Sequence, residues 1–387
     1  MTKTALQESP LNALTDTIDS RRPVTAGERA RDEQESTRLP ERNLDVLRAV
    51  AVLCVLANHT ALLAYQKASV VALVTRIGNA GVQLFFVHTA LVLMASLERQ
   101  GESRPSLVTF YLRRAFRIYP LAIATVLLVV AVGIPRFPPV IGTQAEVDHW
   151  SLGVVAANIA LVQNVLNLQD VLGPFWTLPV EVDMYLLLPF CFLIARSPRS
   201  RGMVALFVAL VAASFVTTNS RVPGAWRLNV FHYGPCFFGG VLAFHLLRDR
   251  ARAKLPPWTL VPVIIATVVA VPILAGVSPV YVSLWAPCLF LGMTLPWIGE
   301  LPPSLVTIAG KTIARYSYGI YLLHIPIFWF AFGACRALPL GAQASIAVLG
   351  IFLVPWVAFH AVEQPSIRLG QRLTRRRPSL AAIEPVP

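Results

Sequence analysis

The stretch from Arg42 to Thr60, RNLDVLRAVAVLCVLANHT, sets an arginine and a histidine eleven positions apart in a run otherwise apolar enough to enter a membrane. At 100° per residue, eleven steps return to within about 20° of the start, so Arg48 and His59 share one helix face about 16 Å apart, with Asp45 near it. Ionisable groups inside a membrane helix are costly and usually face a protein interior or a wet cavity, which makes this stripe a candidate site. A histidine so placed can take a proton from a hydroxyl, and an arginine can hold an anion. The plainer alternatives are an interfacial Arg48 that snorkels and a His59 that only bonds a neighbouring helix.

Four other stretches concentrate polar groups beside apolar runs. GVQLFFVHTALVLMASL carries His88 near its middle. FYLRRAFRIYP places Arg113 and Arg117 four apart on one helix face with Arg114 alongside, which suits either a positive-inside anchor or a clamp for phosphate oxygens. FWTLPVEVDMYLLLPF brings Glu181 and Asp183 just inside a membrane boundary, with Trp176 nearby and Tyr185 one turn after Glu181. Carboxylates there need polar partners or water, and Pro179 and Pro189 loosen the backbone, which together suggest a lined cavity. YSYGIYLLHIPI sets Ser317, Tyr321 and His324 along one stripe.

The elements that must position these groups are membrane helices. Hydrophobic residues make up 56% of the 387 and charged residues only 14%, more apolar surface than a soluble core can hide. The net charge of +13 does not point to nucleic acid, because the arginines gather at the ends of apolar runs rather than among aromatics. Five scattered cysteines, without CxxC or Cys/His spacing, support neither a disulfide framework nor a metal site.

After a polar segment with no apolar core, read as a disordered cytoplasmic tail, apolar runs recur at about 44–66, 78–98, 118–134, 177–195, 203–218, 230–247, 258–276, 279–297, 315–334 and 343–362. Ten spans put the basic connections at 99–117, 196–201, 248–254 and 368–377 on one side together, with both termini cytoplasmic. The segment 152–168 would break that arrangement as a full span and is expected to be re-entrant or interfacial. The fold class is therefore all-α, a polytopic membrane bundle of about ten transmembrane helices with this one irregular piece.

These pieces in this order resemble the acyltransferase 3 family of integral membrane O-acyltransferases. The resemblance rests on DVLRAVAVLCVLANH with Arg48 and His59, FFV at 85–87, FYLRRAFRIYP, FWTLPVEVDMYLLLP with Glu181 and Tyr185, SYGIYLLHIP with His324, and a tail motif at Glu363 and Pro365. It divides the chain into a tail at 1–41, a transmembrane acyltransferase domain at 42–366 and a basic cytoplasmic tail at 367–387. It implies an enzyme of the inner (plasma) membrane that moves an acyl group from cytoplasmic acyl-CoA to a hydroxyl of a carbohydrate or glycosylated product. Acyl-CoA is then a donor substrate, with no permanently bound cofactor and no metal, and the partners are the hydroxyl-bearing glycan or small molecule and membrane lipid. Arg48 and His59 are the family's signature pair. Two departures stand out: His88 and Thr89 replace a common Ser-Gly pair after FFV, and the common WSL is Trp176, Thr177, Leu178.

Residue chemistry fits such a transfer, which requires a base for the hydroxyl proton. In this reading His59 is the base and Glu181 orients it or the acceptor hydroxyl. Arg113, Arg114 and Arg117 take the phosphates of acyl-CoA and Arg48 holds its pantetheine or phosphate end. Tyr185 and His324 complete the substrate-binding cavity. A transient acyl-histidine is the alternative chemistry. A proton-coupled secondary transporter is the alternative function, since the same buried Arg, His and Glu could relay protons.

Overall fold

A computed structural model of the chain describes residues 39–64, 67–99, 106–137, 141, 149–197, 200–219, 229–249, 255–277 and 280–374. The tail expected at the N-terminus, most of the connection at 135–150 and the last residues of the C-terminal tail lie outside these.

The helices are α1 (Glu41–Ala64), α2 (Ala68–Glu98), α3 (Leu107–Val132), the short α4 (Leu152–Ala160) and α5 (Gln163–Leu166), α6 (Thr177–Ala195), α7 (Ser200–Asn219), α8 (Asn229–Asp249), α9 (Leu260–Val277), α10 (Val280–Thr294), α11 (Leu305–Phe328), α12 (Leu340–Ala358) and α13 (Gln364–Leu373). Hydrocarbon offers backbone amides no partner, so segments of about 20 apolar residues close their hydrogen bonds internally as helices. Among the described residues eight helices are long and apolar enough to cross a membrane. Two shorter apolar helices, Arg201–Thr217 and Val282–Trp297, occupy the other two apolar runs of the sequence. The protein is a multi-pass helical membrane bundle. Among the described residues there is no strand, only an isolated parallel bridge between Leu255 and Ile298.

Local chemistry marks the ends. Ser106 caps α3 through the amide of Thr109, and Gly133 ends it with φ 72°, a left-handed conformation that costs glycine nothing. Ser304 and Thr307 form a reciprocal capping box at the start of α11. The segment 152–168 is not a span: α4 and α5 are separated by Leu161 and followed by Asn167, both at positive φ, and are too short to cross. They form a cap over the start of α6. Buried Asn158 accepts from the amide of Val171 and donates to the carbonyls of Val154 and Gln169. Arg136 pairs with Asp170 at 3.3 Å, and the carbonyl of Arg136 accepts from the amide of Gly173, fixing the 3₁₀ turn Gly173–Trp176 that leads into α6. Burial pushes the Asp170 carboxyl up, against the bonds from Gln163 and Arg136 that favour its charge.

The core joins α1, α2, α8, α10 and α11. A Cβ on Gly81 would lie 2.5 Å from the Ala51 carbonyl, and one on Gly240 would lie 2.2 Å from the Val87 carbonyl. Glycine at these two places lets α2 approach α1 and α8 at backbone distance, as small residues do in membrane packing. That approach brings the polar stripe of α1 against the Phe85–Thr89 turn of α2.

Described residues flanking the basic connections meet at one end of the bundle. Glu98 is shared by Arg196 and Arg248, and Arg248 also donates to the Arg196 carbonyl. The first part of the expected C-terminal tail is α13, which lies along α3: a Cβ on Gly370 would meet Phe116, and Arg113 donates to Thr374 at 2.8 Å.

Candidate functional site

At the basic end the helix termini enclose a bowl of about 1200 Å³. Its lining carries seven cationic side chains, Arg48, Arg99, Arg117, Arg248, Lys311, Arg315 and Arg368, against three acidic ones, Glu41, Asp45 and Glu98. The surplus gives the bowl a positive potential. Beside it the start of α1 is tied to the segment before α11: fully buried Asn43 donates to the Gly299 carbonyl and accepts from the Leu301 amide, and the partly exposed Arg42 pairs with Glu300 at 2.8 Å.

Arg48 and Arg117 also line a second, smaller chamber of about 70 Å³ deeper in the bundle, so the two spaces share those guanidinium groups. The chamber is walled by Phe85, Phe86 and Thr89 of α2, Glu181 and Tyr185 of α6, and Ser317, Tyr318 and Tyr321 of α11. Tyr185 donates a short hydrogen bond to Glu181, one helical turn away. Arg117 lies 3.5 Å from Glu363, whose carboxylate is fully buried at the junction of α12 and α13. Arg48 has Arg117, Glu363, Glu181 and Tyr185 as its charged and polar neighbours. The Nε atoms of Arg48 and Arg114 and both carboxylate oxygens of Glu363 are buried without hydrogen-bond partners. Of these residues Arg48 lines both spaces, and an unsatisfied buried polar atom on a cavity wall marks a place where a ligand or water completes the bonding.

His59 lies on the same helix face as Arg48 but lines neither space; its partner is His324. The Nε2 of His324 lies 3.2 Å from the Nδ1 of His59, with ring centroids 4.8 Å apart. His59 is half-buried and His324 is 1% exposed. Between the chamber and this pair stands Tyr321, whose ring centroid is 6.2 Å from that of His324. Its hydroxyl is held by Thr177 at 2.7 Å and by the Pro174 carbonyl at 2.9 Å, so the 3₁₀ turn and the first residue of α6 set the position of this partition.

The residues singled out in the sequence thus fall into two groups. Arg48, Arg114, Arg117, Glu181 and Tyr185 gather around or beside the chamber, whereas His59 and His324 form a separate pair beyond Tyr321. Glu181 meets Tyr185, not His59. Asp183 turns away from Glu181 and accepts from Asn164 of the cap. Arg113 lies outside the lining of both spaces, bonded to α13, so of the three clustered arginines only Arg117 reaches them. His88 faces the bowl and Thr89 the chamber, which places both departures from the family pattern on cavity walls. Sequence reasoning missed Lys311 and Arg315. Their four-residue spacing, which gives them one helix face at the start of α11, was the available signal.

The molecule is thus a many-helix bundle in which a cationic bowl and a buried polar chamber share Arg48 and Arg117. Comparison with known proteins gives the class. The model of the acyltransferase domain, acyltransferase 3, matches residues 41–360, and the chain belongs to that family. It is similar to nodulation protein 10 of Rhizobium leguminosarum bv. viciae, 26% identical over 336 residues that cover 78% of this chain and 85% of that protein. It is also similar to the acyltransferase MdmB of Streptomyces mycarofaciens, 24% identical with 90% of this chain and 96% of that protein covered. No solved structure matches. The protein is an acyltransferase embedded in a membrane.

Proposed function

We propose that this acyltransferase takes its acyl group from acyl-CoA bound in the bowl, on the cytoplasmic side of the inner membrane, and passes it to a hydroxyl of a glycan or glycosylated small molecule. The observation that supports the reading best is the bowl itself, whose excess of guanidinium and ammonium groups suits the phosphates of a nucleotide carrier and narrows at Arg48 and Arg117 to a chamber of acyl-group size. The phosphates meet Lys311, Arg315 and Arg117 in the bowl. The pantetheine arm passes Arg48, and the thioester reaches towards His59 along the α1 face that the two residues share.

His59 is the general base. As the acceptor oxygen attacks the thioester carbonyl, its proton moves to His59; the C–S bond breaks, and the departing CoA sulfur takes that proton back. Tyr321 stands on this route, and its side chain turns aside from Thr177 and Pro174 when the acyl chain arrives. Glu181, bonded to Tyr185 and close to Arg48, offsets the local positive charge and keeps the arginine stripe in place. The relatives' names fit this reading: one is an acyltransferase by name, and the match spans nearly the whole of both chains.

The test is release of free CoA thiol by the purified protein. With acyl-CoA and a hydroxyl acceptor, thiol should accumulate over many turnovers at a rate that depends on acceptor. With acyl-CoA alone it should stay near background, because the base has no hydroxyl to deprotonate. A burst of one equivalent per enzyme without acceptor would replace direct transfer by an acyl-histidine. Failure to release thiol with any donor would remove acyl-CoA as the donor.

A further inference from the structure

His324 is among the most deeply buried polar residues and lines neither the bowl nor the chamber, so substrate contact does not explain it. The geometry points to a different role. His324 is a positioning residue that holds the His59 ring with its proton on Nδ1, leaving the Nε2 lone pair free to accept the substrate's proton. This rests on His59 being the base.

The assignment follows from what each nitrogen faces. The Nδ1 of His324 lies 3.1 Å from the Ile320 carbonyl, and a carbonyl oxygen only accepts, so that nitrogen carries the hydrogen. A neutral ring then has its lone pair at Nε2, the atom 3.2 Å from His59. The Nδ1 of His59 faces this lone pair and, at 3.0 Å, the Val55 carbonyl. Both neighbours are acceptors, so Nδ1 of His59 is the donor to both. The reverse assignment, with His324 donating, would set a lone pair against a carbonyl oxygen at Val55 and again at Ile320. The Nε2 of His59 has no partner among the described residues.

The two acceptors do different work. Val55 is on His59's own helix and shares the Nδ1 hydrogen with His324. His324 comes from α11, with the ring centroids of Tyr321 and Phe328 at 6.2 and 6.0 Å, and ties the imidazole plane to the neighbouring helix. Once Nε2 takes a proton the ring becomes a cation, and the His324 lone pair is the side-chain acceptor on its other edge. The orienting partner of a working imidazole is commonly a carboxylate; a neutral ring does the same without adding a buried charge.

Two variants separate positioning from packing. In His324→Gln the amide oxygen reaches the place of Nε2 and still accepts; in His324→Leu the volume is kept and the acceptor is lost. With acyl-CoA and acceptor, His324→Leu should lower kcat about 10- to 100-fold, the range for partners that orient a metal-bound imidazole, with KM for acyl-CoA unchanged, and His324→Gln should recover most of it. Nitrogen-15 NMR of the full-length protein labelled in histidine, with His59 assigned through a His59→Asn variant, should show its Nδ1 protonated and Nε2 bare. Wild-type kcat in a folded His324→Leu protein, or a proton on Nε2 of His59 in the resting enzyme, overturns the inference. If His324→Leu does not fold, the kcat comparison is made with His324→Met, and a proton on Nε2 of His59 in the wild-type spectrum still overturns the inference. The base reading fails separately: active His59→Ala protein removes it whatever the spectrum shows.

Discussion

Replacing His59 by alanine is expected to lower acyl transfer by roughly 10²- to 10⁴-fold, the usual contribution of a positioned general base. The protein should remain folded, because the imidazole is half-buried and its bonds are to one carbonyl of its own helix and to His324. Acyl-CoA binding should be unchanged, since His59 lies outside the bowl and the chamber. The measurement is kcat beside an equilibrium titration of acyl-CoA on the same preparation. Loss of both together would mean that the variant has collapsed the bundle. Full retention of kcat would move the base elsewhere, and Glu181, the carboxylate that lines the chamber, would be next to test.

Removing Lys311 and Arg315 together should produce the opposite pattern. Both line the bowl and make no close hydrogen bond or ion pair among the described residues; the carboxylate whose charge they offset is Asp45, which also has Arg48. Bonds from charged groups contribute about 1.5–3 kcal/mol, reduced to about 1 kcal/mol each in a wide, solvated bowl. Two such losses correspond to a rise in KM for acyl-CoA of roughly 30-fold, with kcat little changed. The effect should shrink as salt is raised, because the interaction is screened. An unchanged KM would leave the pair as membrane-topology anchors. Arg113 and Arg117 are poorer targets for this experiment. Arg113 ties α3 to α13, and removing Arg117 would strand the buried Glu363 carboxylate, so a double change there mixes binding with stability.

The bundle was legible because hydropathy is a local property. Each of the ten apolar runs corresponds to a helix, with α6 starting and ending where the run at 177–195 does, and the segment 152–168 was recognisable as something other than a span. The start of α3 was less clear: it begins at Leu107, eleven residues before the run at 118, because Arg113, Arg114 and Arg117 interrupt the apolar signal without breaking the helix. The shared face of Arg48 and His59 also followed from periodicity alone.

What could not be read was which helix faces which. His59 and His324 are 265 positions apart, and nothing in either stretch says that α1 and α11 pack together there. The sequence suggests Glu181 as a partner of His59 or of the acceptor hydroxyl, but it bonds Tyr185 one turn along its own helix, and the packing of α6 brings it near Arg48. Asp183, two residues on, points to another face and is satisfied by Asn164 of the cap. Lys311 and Arg315 read as an ordinary basic helix start. They join the site only because the ends of α1, α2, α8, α11 and α13 converge on one bowl.

The most direct measurement is transfer of label in proteoliposomes that hold the purified protein. Radiolabelled acetyl-, propionyl- and isovaleryl-CoA are supplied in turn, each with a panel of glycosylated acceptors and with or without a proton gradient. Label from at least one donor should become ester-linked to an acceptor hydroxyl, independently of the gradient, and His59→Ala should abolish it. Acceptors that stay unlabelled with every donor, yet cross the bilayer intact when the gradient is applied, would contradict acyl transfer and make the buried Arg, His and Glu residues parts of a proton-coupled carrier.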